Sequence, residues 1–135
     1  MHFTSTLLAL ISTLGLTSAG INCEGNANCP GVNANLGNLI GFAAGIDDNR
    51  FYQNGQHIVC EKSQSTGAPG LCAFLQNTGG VPGSSIKTLL QDLQDHGCKK
   101  CGSVPVFFPS DNNDGDHGIL TVNEVGNTDG CDGLC

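Results

Sequence analysis

The sequence contains no tryptophan, one tyrosine and only five lysine and arginine residues among its 135 positions. Twelve aspartate and glutamate residues outweigh these basic residues and give a formal net charge of −7. Proteins that bind nucleic acid or anionic membranes non-specifically present a basic surface, so this composition argues against both partners. We interpret the single adjacent basic pair, Lys99 and Lys100, as solvated loop charges.

Long apolar runs and the common catalytic motifs are missing as well. No stretch after residue 19 is apolar for long enough to span a bilayer, so we expect no stable membrane insertion. There is no G-x-S-x-G elbow, H-E-x-x-H helix or P-loop, and His57, His96 and His117 fall on separate predicted elements. We therefore expect no enzyme, no catalytic residues and no cofactor. A secreted hydrolase is the last-ranked hypothesis.

The first 19 residues have the pattern of a secretory signal peptide. An apolar run over residues 7–16 precedes the small residues Ser18 and Ala19. Cleavage after Ala19 would leave residues 20–135, a length that fits one domain with a modest core. The sequence therefore predicts a secreted, extracellular protein.

Cysteine is the residue that the chain has in abundance. An even number of cysteines in a small secreted chain favours four disulfides, each typically worth about 2–4 kcal/mol. Zinc or redox chemistry at the C-x-x-C pair is the alternative, but zinc would need two more ligands, for which His96 and His117 are the nearest candidates. All eight cysteines follow residue 19: Cys23, Cys29, Cys60, Cys72, Cys98, Cys101, Cys131 and Cys135.

Apolar residues at helical spacing predict two helices, one in residues 32–46 and one in residues 84–97. The second helix is expected to begin at a Ser84 or Ser85 cap and to end at Gly97, which tolerates the left-handed conformation. Its apolar stripe consists of Ile86, Leu89, Leu90 and Leu93.

Strands are predicted at residues 71–76, 102–108 and 119–125, and in a hairpin over residues 51–60 that turns at Asn54-Gly55. Pro105 places its strand at a sheet edge or strand end. These elements predict an α+β fold, a small disulfide-stabilised α/β sandwich in which two helices cover one face of an antiparallel sheet of about five strands.

An acidic loop over residues 110–118 carries Asp111, Asp114 and Asp116. Its sequence superficially resembles a calcium loop, but the EF-hand template fails in both possible registers because the required glycine and glutamate are missing. We therefore expect a solvated turn and no metal site.

Several motifs occur together in an order that resembles the killer toxin family of the smut fungi, the type called killer protein four. H-G-C-x-x-C-G-S followed by L-T-V-N is the most specific part, and the set covers nearly all of residues 20–131. The motifs are GINCEG at residues 20–25 with Cys29 six positions after Cys23, FLQ at 74–76, HGCKKCGS at 96–103, Pro105 and LTVN at 120–123.

The resemblance implies an α/β sandwich with antiparallel strands and two helices on one face. It also implies that Cys23 pairs with Cys98 and Cys29 with Cys101, which would fasten the N-terminal segment to the end of the second helix. Three pairings of the other four cysteines stay open, and a cross-strand bond between Cys60 and Cys72 is geometrically possible.

For function, the resemblance implies a secreted antifungal toxin or host-directed effector, a monomer that binds a cell-surface protein of a target fungus or host. The smut toxin itself is thought to block calcium channels, is basic, and has a lysine just ahead of the cysteine matching Cys60, where this chain has Ile58. The alternative is a cell-wall or matrix protein with a structural or adhesive role. The expected contact surfaces are the loops at residues 62–70, 77–83 and 110–118.

Overall fold

A computed structural model of the protein describes residues 20–63, 69–113 and 117–135. The predicted signal peptide, residues 1–19, lies outside these residues. A short 3-10 helix at Cys29–Gly31 and two α-helices, α1 and α2, accompany seven strands. In chain order the elements are Cys29–Gly31, α1 Leu36–Ala43, β1 Phe51–Tyr52, β2 Val59–Lys62, β3 Gly70–Gln76, β4 Val81–Pro82, α2 Gly83–Asp95, β5 Gly102–Pro105, β6 Ile119–Val125 and β7 Gly133–Leu134.

The main sheet has five strands in the order β5-β6-β3-β2-β7, and every neighbouring pair is antiparallel. Strands β1 and β4 form a separate two-stranded antiparallel sheet. The two helices pack against each other and against one face of the main sheet. The predicted α+β fold, with an antiparallel sheet and two helices, is confirmed. In the described part of the chain, neither helix is long and apolar enough to cross a membrane.

The core lies between the helices and the main sheet. Because side chains alternate along a strand, Leu71, Ala73 and Leu75 of β3 all face the helices and are fully buried. The apolar stripe predicted for α2 meets this face. The opposite face of the sheet carries Cys60 and Cys72, which lie directly across from each other on β2 and β3.

The predicted hairpin over residues 51–60 is wrong. β1 pairs with β4, and both edges of β2 are taken by β3 and β7, so β1 has no edge of β2 left to pair with. Asn54 and Gly55 still form a turn, but the N–H of Gly55 (φ +77°) donates to the carbonyl of Leu75 at the end of β3. The segment therefore crosses between two sheets.

Helix α2 ends as predicted and begins differently. Gly97, at φ +106°, closes the helix, because its N–H donates to the carbonyl of Gln94 and the next N–H donates to Leu93. At the other end the residue before the helix is Pro82, and no side chain caps it. The predicted Ser84 or Ser85 cap is wrong.

Backbone carbonyls from the segment before β1 satisfy the first turn of α2 instead. The N–H of Gly83 donates to the Arg50 carbonyl over 2.7 Å, and that of Ser84 donates to the Asp48 carbonyl over 3.1 Å. A Cβ at position 83 would lie 2.2 Å from the Asp47 carbonyl oxygen. Only glycine permits this close approach of the segment to the helix.

Helix α1 is shorter than the predicted span of residues 32–46 and depends on two polar side chains. The Asn35 side chain accepts from the N–H of Asn38. From strand β2, the Glu61 carboxylate accepts from the N–H of Asn35 over 2.9 Å and from the Asn38 side chain over 2.6 Å. A carboxylate at this end also interacts favourably with the positive end of the helix dipole.

Candidate functional site

Four disulfides join the eight cysteines. Cys23 is bonded to Cys98 and Cys29 to Cys101, the pairs that the family resemblance implies; we call these two bonds the clamp. The others are the cross-strand bond Cys60–Cys72 and the short-range bond Cys131–Cys135. Because Cys98 and Cys101 are in disulfides, their sulfurs are not available as zinc ligands or as a redox pair with each other.

The motif residues around the clamp hold the fold together through hydrogen bonds and close packing. Asn22 pairs with Ser103 through two backbone hydrogen bonds and through its side chain, which donates to the Ser103 hydroxyl over 2.9 Å. The Asn123 side chain of the LTVN motif accepts from the N–H of Asn26 over 3.0 Å. A Cβ at Gly25 would lie 2.5 Å from the Cβ of Cys101. The motifs that carry the family resemblance therefore contain residues that stabilise the fold.

Lys100 is not a free surface charge. Its ammonium group donates to the carbonyls of Pro30 and Val32, over 3.0 and 2.7 Å, so it ties the segment between Cys98 and Cys101 to the short 3-10 helix and the residue that follows it. The side chain of Lys99 is exposed. The interpretation as a solvated loop charge therefore does not hold for Lys100, and no basic patch forms from this pair.

The three expected contact loops have different outcomes. Residues 64–68 of the first and 114–116 of the third, including Asp114 and Asp116, lie outside the described residues. The second loop, 77–83, ends in strand β4 and the first residue of α2, where Val81 and Gly83 are buried. Only its first four residues, 77–80, form the expected connection.

The third loop carries a close histidine–carboxylate pair. His117 Nδ1 lies 2.6 Å from Asp111 Oδ2, and the His117 ring contacts the edge of the Phe107 ring at a centroid distance of 5.2 Å. The hydrogen bond with His117, and after it the bond from the N–H of Asn113, hold the pKa of the Asp111 carboxyl below its ordinary value. Phe107 is 53% exposed.

A second candidate site, which we call the C-terminal cleft, lies between residues 55–57 and residues 128–135. It has a volume of about 590 Å³. His57 Nδ1 lies 3.8 Å from Asp129 Oδ2, and Asp132 accepts from the N–H of Lys62 over 3.1 Å. The cleft exists because β7 adds to the edge of β2 and brings the chain's last residues beside His57.

The cleft adjoins the position that matches the lysine of the smut toxin. Ile58 is fully buried in the core, and its carbonyl accepts from the N–H of Cys135 over 3.0 Å. The side chain at this position therefore presents nothing to a partner. The exposed groups nearest to it in sequence belong to residues 54–57, of which His57 is half-buried.

Two groups of side chains in the described residues have the spacing of metal ligands, but both consist mainly of disulfide sulfurs. One is His57 with Cys60 and Cys72, and the other is Cys60 with Cys131 and Cys135. A metal binds the thiolate form of cysteine, and all of these sulfurs are covalently paired. They do not form a metal site in this state.

Sequence reasoning missed the C-terminal cleft entirely. The sequence predicts no helix or strand after residue 125, whereas this segment contains strand β7 and lines the cleft. Strand β7 has only two residues, Gly133 and Leu134, too few for an alternating pattern to be visible. The sequence did offer one signal, because Asp129-Gly130 and Gly133 are residue types that favour tight turns. In the structure all three have positive φ.

Comparisons with known proteins agree with this geometry. The Kp4 family model matches residues 6–126, a span that includes the clamp and ends before Cys131. The chain is also 32% identical over 111 residues to the KP4 killer toxin of Ustilago maydis P4 virus, a similarity that covers 80% of this chain and 81% of that protein. A match of this extent shows common ancestry, and the chain belongs to the Kp4 family of killer toxins.

Proposed function

We propose that the protein is secreted and acts as a monomeric antifungal toxin or host-directed effector by binding a protein on the surface of a target cell. The observation that carries this proposal is the similarity to a killer toxin over four-fifths of both chains. Four disulfides in so small a domain also suit an extracellular protein, because such bonds persist in oxidising compartments.

The contact surface that we favour includes Phe107 and the described part of the acidic loop. An exposed aromatic side chain with polar neighbours is a common centre of protein–protein contacts, and Phe107 has the exposed His117 beside it. The loop supplies a negative charge at Asp111, so the partner surface is expected to be basic around an apolar centre.

The finer part of the proposal concerns the identity of the target. A calcium channel is the target that the family resemblance implies. In this fold Ile58 is fully buried at the position of the smut toxin's lysine, and the chain carries a net charge of −7. A channel contact therefore has to use other side chains than the one at position 58.

The proposal is tested by adding the purified, oxidised protein to a panel of fungi and to plant seedlings while growth and calcium uptake are measured. The matched control is the same protein after reduction and alkylation, which removes all four disulfides. Growth inhibition by the oxidised form alone supports the toxin. Inhibition of both growth and calcium uptake, relieved by added calcium, supports a channel target, whereas normal uptake points to another surface protein.

Absence of any effect on growth across the panel would count against the toxin. In that case the localisation of the protein in a culture of the producing organism becomes decisive. Release into the medium is expected from a toxin. Retention on the producer's own wall would favour a structural or adhesive wall protein instead.

Substitutions of exposed aromatic residues test the contact surface. Phe107→Ala is expected to weaken activity by about 10- to 100-fold, the loss typical of a central interface side chain. Phe42→Ala, on helix α1 and 37% exposed, is the matched control and should leave activity unchanged. Equal losses in both variants, or a loss only in Phe42→Ala, would move the contact surface away from Phe107.

A further inference from the structure

The disulfides Cys60–Cys72 and Cys131–Cys135 lie against each other on the sheet face opposite the helices. Cys60 and Cys72 are fully buried, whereas Cys135 is exposed and Cys131 half-buried. The sulfur of Cys135 is 3.7 Å from the sulfur of Cys60. The sulfurs of Cys60, Cys131 and Cys135 all lie within 4.8 Å of one another.

This contact follows from the strand register. Cys60 lies directly across from Cys72 on one side and from Gly133 of β7 on the other. Two residues after Gly133 the alternation brings Cys135 to the same face as Cys60, and the N–H of Cys135 is held by the carbonyl of Ile58 over 3.0 Å. The sheet therefore fixes the sulfur of Cys135 beside the buried bond.

We propose that Cys131–Cys135 is a site for thiol–disulfide exchange. An external thiol opens this exposed bond, and the Cys135 thiolate that is released then opens the buried bond Cys60–Cys72. Exchange requires a thiolate that can reach a disulfide sulfur, and exposed bonds are the ones that external thiols attack. Of the two neighbouring bonds, Cys131–Cys135 is the accessible one, and Cys135, once released, is an internal thiolate whose sulfur is already in contact with that of Cys60. The partner is a thiol, either a small molecule or a protein cysteine.

The exchange balances without an oxidant or reductant. The external thiolate attacks the sulfur of Cys131, forms a mixed disulfide there, and releases Cys135 as a thiolate. Cys135 then attacks Cys60, the bond between Cys60 and Cys72 breaks, and Cys72 leaves as a thiolate. One external thiol is consumed, one cysteine thiol appears, and the total of two disulfide bonds is unchanged.

His57 is the polar side chain beside the sulfurs of the buried bond. A ring nitrogen of His57 lies within 4.8 Å of the sulfurs of both Cys60 and Cys72, and the ring is tilted by 45° against the Phe74 ring at a centroid distance of 6.3 Å. A thiolate leaves more readily when a nearby group can protonate it or stabilise its charge. The resulting Cys72 thiol stays on β3.

The buried bond of this site lies within the part of the chain that the family model matches, and the exposed bond lies outside it. The family match ends at residue 126, so the exposed bond lies beyond it, while the clamp lies within it. Exchange at Cys131–Cys135 leaves Cys23–Cys98 and Cys29–Cys101 intact. The clamp bonds therefore serve as an internal control in the same molecule.

The test treats the full oxidised protein with limiting reduced glutathione, blocks free thiols with an alkylating reagent, and maps the bonds by mass spectrometry. The proposal expects glutathione on Cys131, a bond between Cys60 and Cys135, and an alkylated Cys72. An intact Cys60–Cys72 bond in molecules whose Cys131–Cys135 bond has opened would overturn it. Resistance of both bonds to glutathione would overturn it as well.

The matched control is the double variant Cys131→Ser with Cys135→Ser, which removes the exposed bond and leaves the other three. Under the same treatment the proposal expects loss of Cys72 alkylation in this variant, because no internal thiolate can reach Cys60. Alkylation of Cys72 to the same extent as in the unchanged protein would show that glutathione attacks the buried bond directly, and the proposed route would be wrong. Circular dichroism of the oxidised variant checks that it is folded.

Discussion

Removal of one bond of the clamp should cost much less than its sequence separation suggests. Cys23–Cys98 and Cys29–Cys101 join positions 75 and 72 residues apart. A single loop of that length restricts the unfolded chain by about 4.5 kcal/mol in the chain-entropy relation. When one bond is already present, however, the other closes only the short path through residues 23–29 and 98–101, roughly ten residues, worth about 2.7 kcal/mol.

We therefore expect the variant Cys23→Ala with Cys98→Ala to lose about 2.7 kcal/mol of unfolding free energy, because the remaining bond still closes the long loop. This corresponds to a fall of roughly 10 °C in melting temperature for a domain of this size. Loss of both clamp bonds should cost about 7 kcal/mol, comparable to the whole stability of many small domains. The loss of unfolding free energy when both bonds are removed is thus expected to exceed the sum of the two single losses.

The assay is urea unfolding followed by circular dichroism on two variants that each lack one clamp bond, Cys23–Cys98 or Cys29–Cys101. Mass spectrometry checks that the other three bonds have formed. The two variants should lose similar amounts of unfolding free energy, since each one opens the same short loop. A loss near 4.5 kcal/mol in each, the value for an isolated long loop, would refute the reasoning. It would mean that the two bonds restrict the unfolded chain independently.

Three further predictions follow from single contacts. Glu61→Ala should lower the unfolding free energy by about 1–3 kcal/mol because the amides at the start of α1 lose a charged acceptor, and Glu61→Gln should lose less in the same urea assay. Gly97→Ala should cost about 1–2 kcal/mol through its positive φ alone, with Gly97→Asn milder; equal melting temperatures would contradict this. Asp111 has its pKa lowered by the hydrogen bond with His117. Its contribution to the unfolding free energy should therefore be complete above the unfolded pKa of about 3.9 and be lost as the pH falls through the lower folded pKa. Melting scans should show a smaller loss on acidification in Asp111→Asn, and an NMR titration of Asp111 with an ordinary midpoint would contradict the cause.

Elements whose pattern is long and regular could be predicted from the sequence. The stripe of α2 and the strands at Gly70–Gln76 and Ile119–Val125 follow directly from helical and alternating periodicity. β5 ends at Pro105 and lies at a sheet edge, as expected for a residue that cannot donate to a strand partner.

The errors arose where distant segments override a local signal. Asn54-Gly55 is a strong hairpin sequence, but the edges of β2 are already occupied by β3 and β7. Ser84 and Ser85 are good caps, yet in the structure the first N–H groups of the helix donate to the backbone carbonyls of residues 48 and 50 instead. Nothing near these positions in the sequence reports on such long-range competition.

The candidate sites show the same division. The cysteines were visible in the sequence because their number and spacing carry the signal. The approach of His57 to Asp129, which are far apart in the chain, depends on a two-residue strand that no pattern marks. A site assembled by so short an element becomes apparent only in the structure.

Binding of labelled protein to intact cells tests whether the protein acts on a target cell by binding its surface. Cells of each species in the growth panel would be incubated with the oxidised protein, with an excess of unlabelled protein as competitor. We expect saturable, competed binding that is confined to the species whose growth is inhibited. Growth inhibition without saturable binding to those cells would contradict it.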